Sequence, residues 1–149
     1  PAVFSIELLH CHHFSISQPI LMLNHYDIEM IDFMPTSIVN LHISYLPWNR
    51  GASPNFWSFI EDTPKGVTIH EIDEKLDRGK ILLQKKIEFD EETETFATTY
   101  NRLNEEIVKL FYEHRKDILE GNITGKVVTE KGSYHSMADY TKFTQNRGG

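Results

Sequence analysis

One cysteine, Cys11, stands in a chain of 149 residues, and a lone thiol excludes an internal disulfide framework. No apolar run approaches the roughly 20 residues that span a bilayer, so a transmembrane helix is not expected. No cluster of Lys and Arg offsets the formal net charge of −7; a phosphate backbone would find no basic patch, and nucleic acid is not expected as a partner. The G-x-S-x-G turn of serine hydrolases is missing, and the only thiol lies near the start of the chain, so covalent catalysis through a side-chain nucleophile has no evident carrier. With one cysteine and no leader ahead of Pro1, a reducing, cytoplasmic setting is expected. What is present is ordinary globular composition, 40% hydrophobic and 25% charged, at a length that buries one core.

The middle of the chain is the most legible. Residues 37–43, "SIVNLHI", form a short apolar run rich in β-branched residues and suit a buried strand. "GVTIHEI" (66–72) and "KILLQKKI" (80–87) are two further strands, joined as a hairpin through "DEKLDRG". From 96 to 119, Phe96, Tyr100, Leu103, Ile107, Leu110, Phe111 and Ile118 recur at three- and four-residue steps, which predicts an amphipathic core helix. Thr93 or Thr95 can cap its start and Gly121 its end. "VVTEKGSYHSMADY" then reads as a strand, a Gly turn and a short tail element, with a frayed "QNRGG" ending.

The first 34 residues carry apolar clusters without a sustained period. Within them "DIEMIDF" is expected as a short helix with Asp27 near its N-terminus, where a negative charge suits the dipole. His10, Cys11, His12 and His13 are potential zinc ligands. Adjacent residues of an extended segment point to opposite faces, however, and no second ligand pair follows at a suitable spacing. No metal site is expected.

Asn40 and His42 are two apart on a strand and therefore share one face. Asp77, in the "DEKLDRG" loop, is the carboxylate that could meet them. An amide, an imidazole and a carboxylate together suit acyl transfer: the amide N–H stabilises a developing oxyanion, the imidazole moves a proton, and the carboxylate supports its charged form. No side-chain nucleophile is needed if the acceptor is an amine. Each residue also has a purely structural reading: Asn40 as a strand cap, His42 as a satisfied core histidine, Asp77 as a turn residue.

The stretches "NLHISYLPWNRGASPNFW" (40–57) and "GVTIHEIDEKLDRGKI" (66–81) resemble the folate-dependent formyltransferases. That family's pattern is Asn-x-His, Leu-Pro and an Arg-Gly turn, then Gly-x-Thr-x-His and a Leu-Asp-x-Gly loop. The likeness is strong over about 35–90, with the helix and "KGSYH" (131–135) in keeping, and is greatest to the sugar N-formyltransferases. It implies an α/β, Rossmann-like catalytic domain, a mixed sheet flanked by helices, over 1–120, with 121–149 as a C-terminal strand and tail. It implies Asn40, His42 and Asp77 as the catalytic set, and transfer of a formyl group from N10-formyltetrahydrofolate to the amine of a nucleotide-linked amino sugar. Asp73, Glu74, Lys75 and Leu76 would lie against the cofactor's pterin.

Asn49 and Arg50 are then candidate substrate contacts. Arg50 suits phosphate oxygens, and equally suits bracing its own Pro-to-Gly turn. Trp48, Phe56 and Trp57 are expected in the core rather than as a ligand platform. The family places a longer βα-rich segment before its Asn than the 39 residues found here, so early strands are expected to be missing, residues 1–26 to be poorly packed or rearranged, and the uncovered edge to favour partial disorder or association, such as a homodimer. A non-catalytic assembly module and a relative that formylates methionyl-tRNA are the alternative readings.

Overall fold

The computed structural model describes residues 3–6, 38–72 and 79–147. Strands β1 (Val3–Ile6), β2 (Ile38–His42), β4 (Gly66–Glu71) and β5 (Ile81–Lys86) form one sheet in the order β1-β2-β4-β5. The sheet is mixed, as expected: β1 runs parallel to β2, and β4 runs antiparallel to both β2 and β5. The hairpin of β4 and β5 also matches its sequence signal. The "DIEMIDF" helix, the His10–His13 cluster and most of the front lie outside the described residues. Within the front, the backbone of Val3–Ile6 pairs in register with β2, from Val3 opposite Ile38 to Ile6 opposite Leu41.

Two-residue periodicity divides the central strands into two faces. Val39 and Leu41 of β2, with Val67 and Ile69 of β4, join Leu103, Ile107, Leu110 and Ile118 in one core. Those four come from helix α2 (Phe96–Glu120), whose apolar stripe covers that face of the sheet. Of the two candidate caps, Thr95 is the one used. Its side chain accepts from the Thr98 N–H while its own N–H donates to the Thr98 hydroxyl, closing a capping box. Gly121 ends the helix in the left-handed region at φ 69°, where a side chain would be strained.

Helix α1 (Pro54–Ile60) was not expected from the sequence. It is seven residues long, too short to show a period, and tertiary contacts hold it: Asn55 donates to the Phe96 carbonyl and accepts from the Thr99 hydroxyl. At the other end, β6 is only Tyr134–His135, and α3 (Met137–Arg147) is an eleven-residue helix. This corrects the frayed ending for residues up to Arg147, whose guanidinium lies over the Phe143 ring at 4.8 Å. Strand β6 pairs in parallel with β3 (Arg50–Gly51), so the tail is laced to the segment that follows β2. A bridge between Ile81 and Lys126 fastens it to β5 as well.

Leu103 is 1% exposed at the centre of the helix–sheet contact. Leu103→Ala is expected to lower stability by about 3 kcal/mol through lost burial and the cavity left behind. Equilibrium urea unfolding checks this, and a change under 1 kcal/mol, well below the usual range, would contradict the packing.

Candidate functional site

The antiparallel register of β2 and β4 sets Asn40 opposite His70 and His42 opposite Thr68. These four side chains therefore share the sheet face away from α2, and all are buried, at 1%, 3%, 0% and 1% exposure for Asn40, His42, Thr68 and His70. Asn40 Nδ2 donates to His70 Nε2 at 3.3 Å. His70 Nδ1 in turn donates to the Glu71 carbonyl at 2.9 Å. The His42 and His70 rings meet edge to face, centroids 6.2 Å apart. The β4–β5 ladder shifts register between Ile69 and His70, an irregularity of the kind that re-aims a side chain.

Beyond His42 the chain leaves the sheet and folds back over this face. Thr68 pins the returning loop: its hydroxyl donates to the Ser44 carbonyl at 2.7 Å and accepts from the Leu46 N–H and the Gln84 amide. The loop passes through a cis Leu46–Pro47 peptide to Asn49, which has φ 56°, a left-handed conformation that asparagine tolerates better than most residues. There the Asn49 carbonyl accepts from His42 Nε2 at 3.2 Å. A carbonyl cannot donate, so Nε2 of His42 carries a proton.

Asn49 and Arg50, the expected substrate contacts, lie behind the histidine. Asn49 is fully buried; its side chain donates to Thr63 Oγ1 at 2.7 Å and accepts from the Ser133 hydroxyl, which also receives its backbone N–H. Arg50 is 6% exposed, with one guanidinium nitrogen on the Lys131 carbonyl at 2.9 Å. Bracing by Arg50 was open in the sequence; the partner, 81 residues away, was not legible there. Asp77 and the stretch Asp73, Glu74, Lys75 and Leu76 lie outside the described residues. Asn40 and His42 are brought together, and His70 is the residue that sequence reasoning passed over. Its signal was the Thr-x-His alternation of "GVTIHEI", which mirrors Asn-x-His one strand away.

A pocket of about 650 Å³ opens beside His42, between α1, the first turns of α2 and the start of α3. Asn55, Asn101 and Asn104 contribute amides to its wall, and Phe56, Tyr100 and Tyr140 contribute rings. Among its described lining residues none is Lys, Arg, Asp or Glu, so it suits an uncharged, partly apolar group. Trp57 fits its core reading: it is 6% exposed and stacks on His135 at 3.9 Å. Phe56 differs, because it stands in the pocket wall. Among the described residues no three His, Cys, Asp or Glu side chains converge to hold a metal, and no helix is long and apolar enough to cross a membrane.

The pocket's α3 wall is tied down by Asp139. Bonds from the Ser136 hydroxyl and backbone N–H hold its carboxyl below the usual aspartate range. A depressed folded value means that this support is fully present above the ordinary aspartate pKa and is lost as pH falls through the lowered one. Amide exchange at the start of α3 should therefore speed up in acid before the core of α2 opens; simultaneous opening would contradict this. Asn49→Ala is expected to lower stability by on the order of 3 kcal/mol, since it strands buried partners and places alanine at positive φ. Thermal unfolding checks the loss, and an unchanged midpoint would contradict it.

Residues 27–114 match the formyl transferase family model, a span that holds Asn40, His42 and His70. The dTDP-4-amino-4,6-dideoxyglucose formyltransferase of Mycobacterium tuberculosis is 35% identical over 102 residues, covering 68% of this chain and 43% of that protein. The methionyl-tRNA formyltransferase of Syntrophus aciditrophicus is 43% identical over 76 residues, 50% of this chain and 24% of that one. The chain thus spans less than half the length of these relatives. The crystal structure of the formyltransferase PseJ from Anoxybacillus kamchatkensis, in complex with UDP-4,6-dideoxy-4-formamido-L-AltNAc and tetrahydrofolate, superposes with a TM-score of 0.77 at 33% identity, covering 97% of this chain and 90% of that one. By the family match, and by the likeness of its mixed sheet and helices to that structure, the chain belongs to the formyl transferase family.

Proposed function

We propose that this chain transfers a formyl group from N10-formyltetrahydrofolate to the amino group of a nucleotide-linked amino sugar. One observation carries the reading: His42 belongs both to the buried Asn40–His42–His70 group and to the wall of the 650 Å³ pocket. The acceptor's amine, held in that pocket, would meet a proton-accepting nitrogen and an amide donor at one point. The PseJ complex, which holds a UDP-linked formamido sugar and tetrahydrofolate, supports the same pairing of donor and acceptor.

The residues present fit such a donor, because formyl transfer asks for one group at the carbonyl oxygen and one for the amine proton. N10-formyltetrahydrofolate supplies an activated formyl carbon when bound. Asn40 donates an N–H to the formyl oxygen as the amine nitrogen bonds to the carbon, stabilising the charge that collects on oxygen. His42 receives the proton shed by the amine at Nδ1, while Asn49 holds Nε2 in place. When bound, the folate would supply N10 as the leaving nitrogen, which would take up the proton held by His42 as the bond to the formyl carbon breaks. Asp77 is assigned to this relay, through water, and residues 73–76 to the pterin. Asn49 and Arg50 act in this reading from behind His42, holding the loop against the 131–133 segment.

The pocket wall bears on the acceptor. A pocket with amides and rings but no charged lining among its described residues favours a sugar with apolar substituents, such as a deoxy sugar, and leaves the diphosphate outside. Methionyl-tRNA is the competing acceptor within the family. A net charge of −7 weighs against it, since tRNA binding draws on a basic surface.

Product formation with a panel of UDP- and dTDP-linked amino sugars, beside methionyl-tRNA, tests the proposal at physiological salt. A formamido sugar is the expected product, and preferred formylation of the tRNA would overturn the choice of acceptor. His42→Ala should lower turnover by roughly a hundredfold or more, the size of a general-base effect. Asn40→Ala should raise the barrier by on the order of 3 kcal/mol, as loss of one oxyanion donor does. Unchanged kcat in either variant would remove that residue from its role.

A further inference from the structure

His70 is 1% exposed, stands opposite Asn40 in the ladder and sits at the register shift between β4 and β5, yet the chemistry above gives it no step. Its hydrogen bonds determine its protonation form. The Glu71 carbonyl can only accept, so Nδ1 bears the proton; Nε2 then presents a lone pair, and Asn40 meets it with an amide N–H.

That bond settles a choice which an asparagine alone leaves open. The amide has two orientations of nearly equal shape, related by exchange of its oxygen and nitrogen. In one, N–H groups face the ligand side; in the other the oxygen does, and it would repel an oxyanion. Only the first satisfies a lone pair on His70. An amide nitrogen carries two N–H groups, so one can hold His70 while the other serves the formyl oxygen.

We infer that His70 is a positioning residue for formyl transfer, orienting the Asn40 amide as an oxyanion donor through a neutral, Nδ1-protonated ring. The inference rests on the proposed function, and its test separates the two. His70→Phe keeps a ring of similar size but has no lone pair; His70→Gln can place an amide oxygen near the Nε2 position. With the intact chain, His70→Phe should lower kcat by about ten- to a hundredfold, the scale of a misplaced catalytic group, with KM for both substrates little changed. His70→Gln should recover most of the loss, and in an Asn40→Ala background His70→Phe should cause no further fall, because the two residues act as a unit.

An undiminished kcat in His70→Phe, or an equal loss in the Asn40→Ala background, would overturn the inference. Imidazole nitrogen-15 NMR supplies a readout independent of turnover. It should find the neutral Nδ1-protonated form, with the Nε2 resonance displaced by Asn40→Ala. A ring protonated at Nε2 would sink the inference even in an active enzyme. A wild-type chain that formylates nothing while showing the expected resonances would overturn the proposed function and leave the His70–Asn40 bond standing.

Discussion

Everything at the site depends on the register of β2 against β4. Pairing Leu41 with Ile69 and Asn40 with His70 sends one set of side chains into the α2 core and the alternate set to the other face. A slip of one residue would reverse both assignments, burying polar groups among Leu103, Ile107 and Leu110 and exposing the apolar ones. The hydrophobic core therefore specifies the polar site: the burial that stabilises the helix–sheet contact also holds Asn40 and His42 in place. A site built on paired strands is held more rigidly than one built on a loop.

The polar face in turn requires a roof, since buried polar groups without partners are costly. The chain between β2 and α1 provides it, anchored by Thr68 and Gln84 from below and by the 131–135 segment from above. Arg50 and Ala52 both donate backbone N–H groups to this segment, at 2.9 and 2.8 Å. The consequence reaches His42 through Asn49, whose carbonyl accepts from Nε2. A stretch far along the sequence and outside the matched family span thus helps to set the state of the histidine.

Much of this was legible because strands announce their faces. "SIVNLHI" and "GVTIHEI" each alternate, and Asn40 and His42 could be placed on one face from period alone. His70 has the same local signal, but its partnership with Asn40 needs the register between two strands, which no single segment contains. Asn49 and Arg50 stand beside the motif in sequence, but their buried partners Thr63, Ser133 and Lys131 come from distant segments and were not legible there. Helix α1 is too short for a period to form, and α3 has no buried residue, so neither offered an apolar stripe to read. Helix α2 offered both a stripe and caps and was read within a residue of its ends.

The account's central claim is that the Asn40–His42 face and the pocket beside it are the two halves of one transfer site. A crystal structure of the protein with tetrahydrofolate and a nucleotide-linked amino sugar tests it most directly. The account predicts the sugar in the pocket between α1, α2 and α3, its amine within about 3.2 Å of His42, the reach of a proton-accepting group, and the folate N10 on the far side of that amine near Asn40. A sugar bound elsewhere, or an amine directed away from His42, would contradict it.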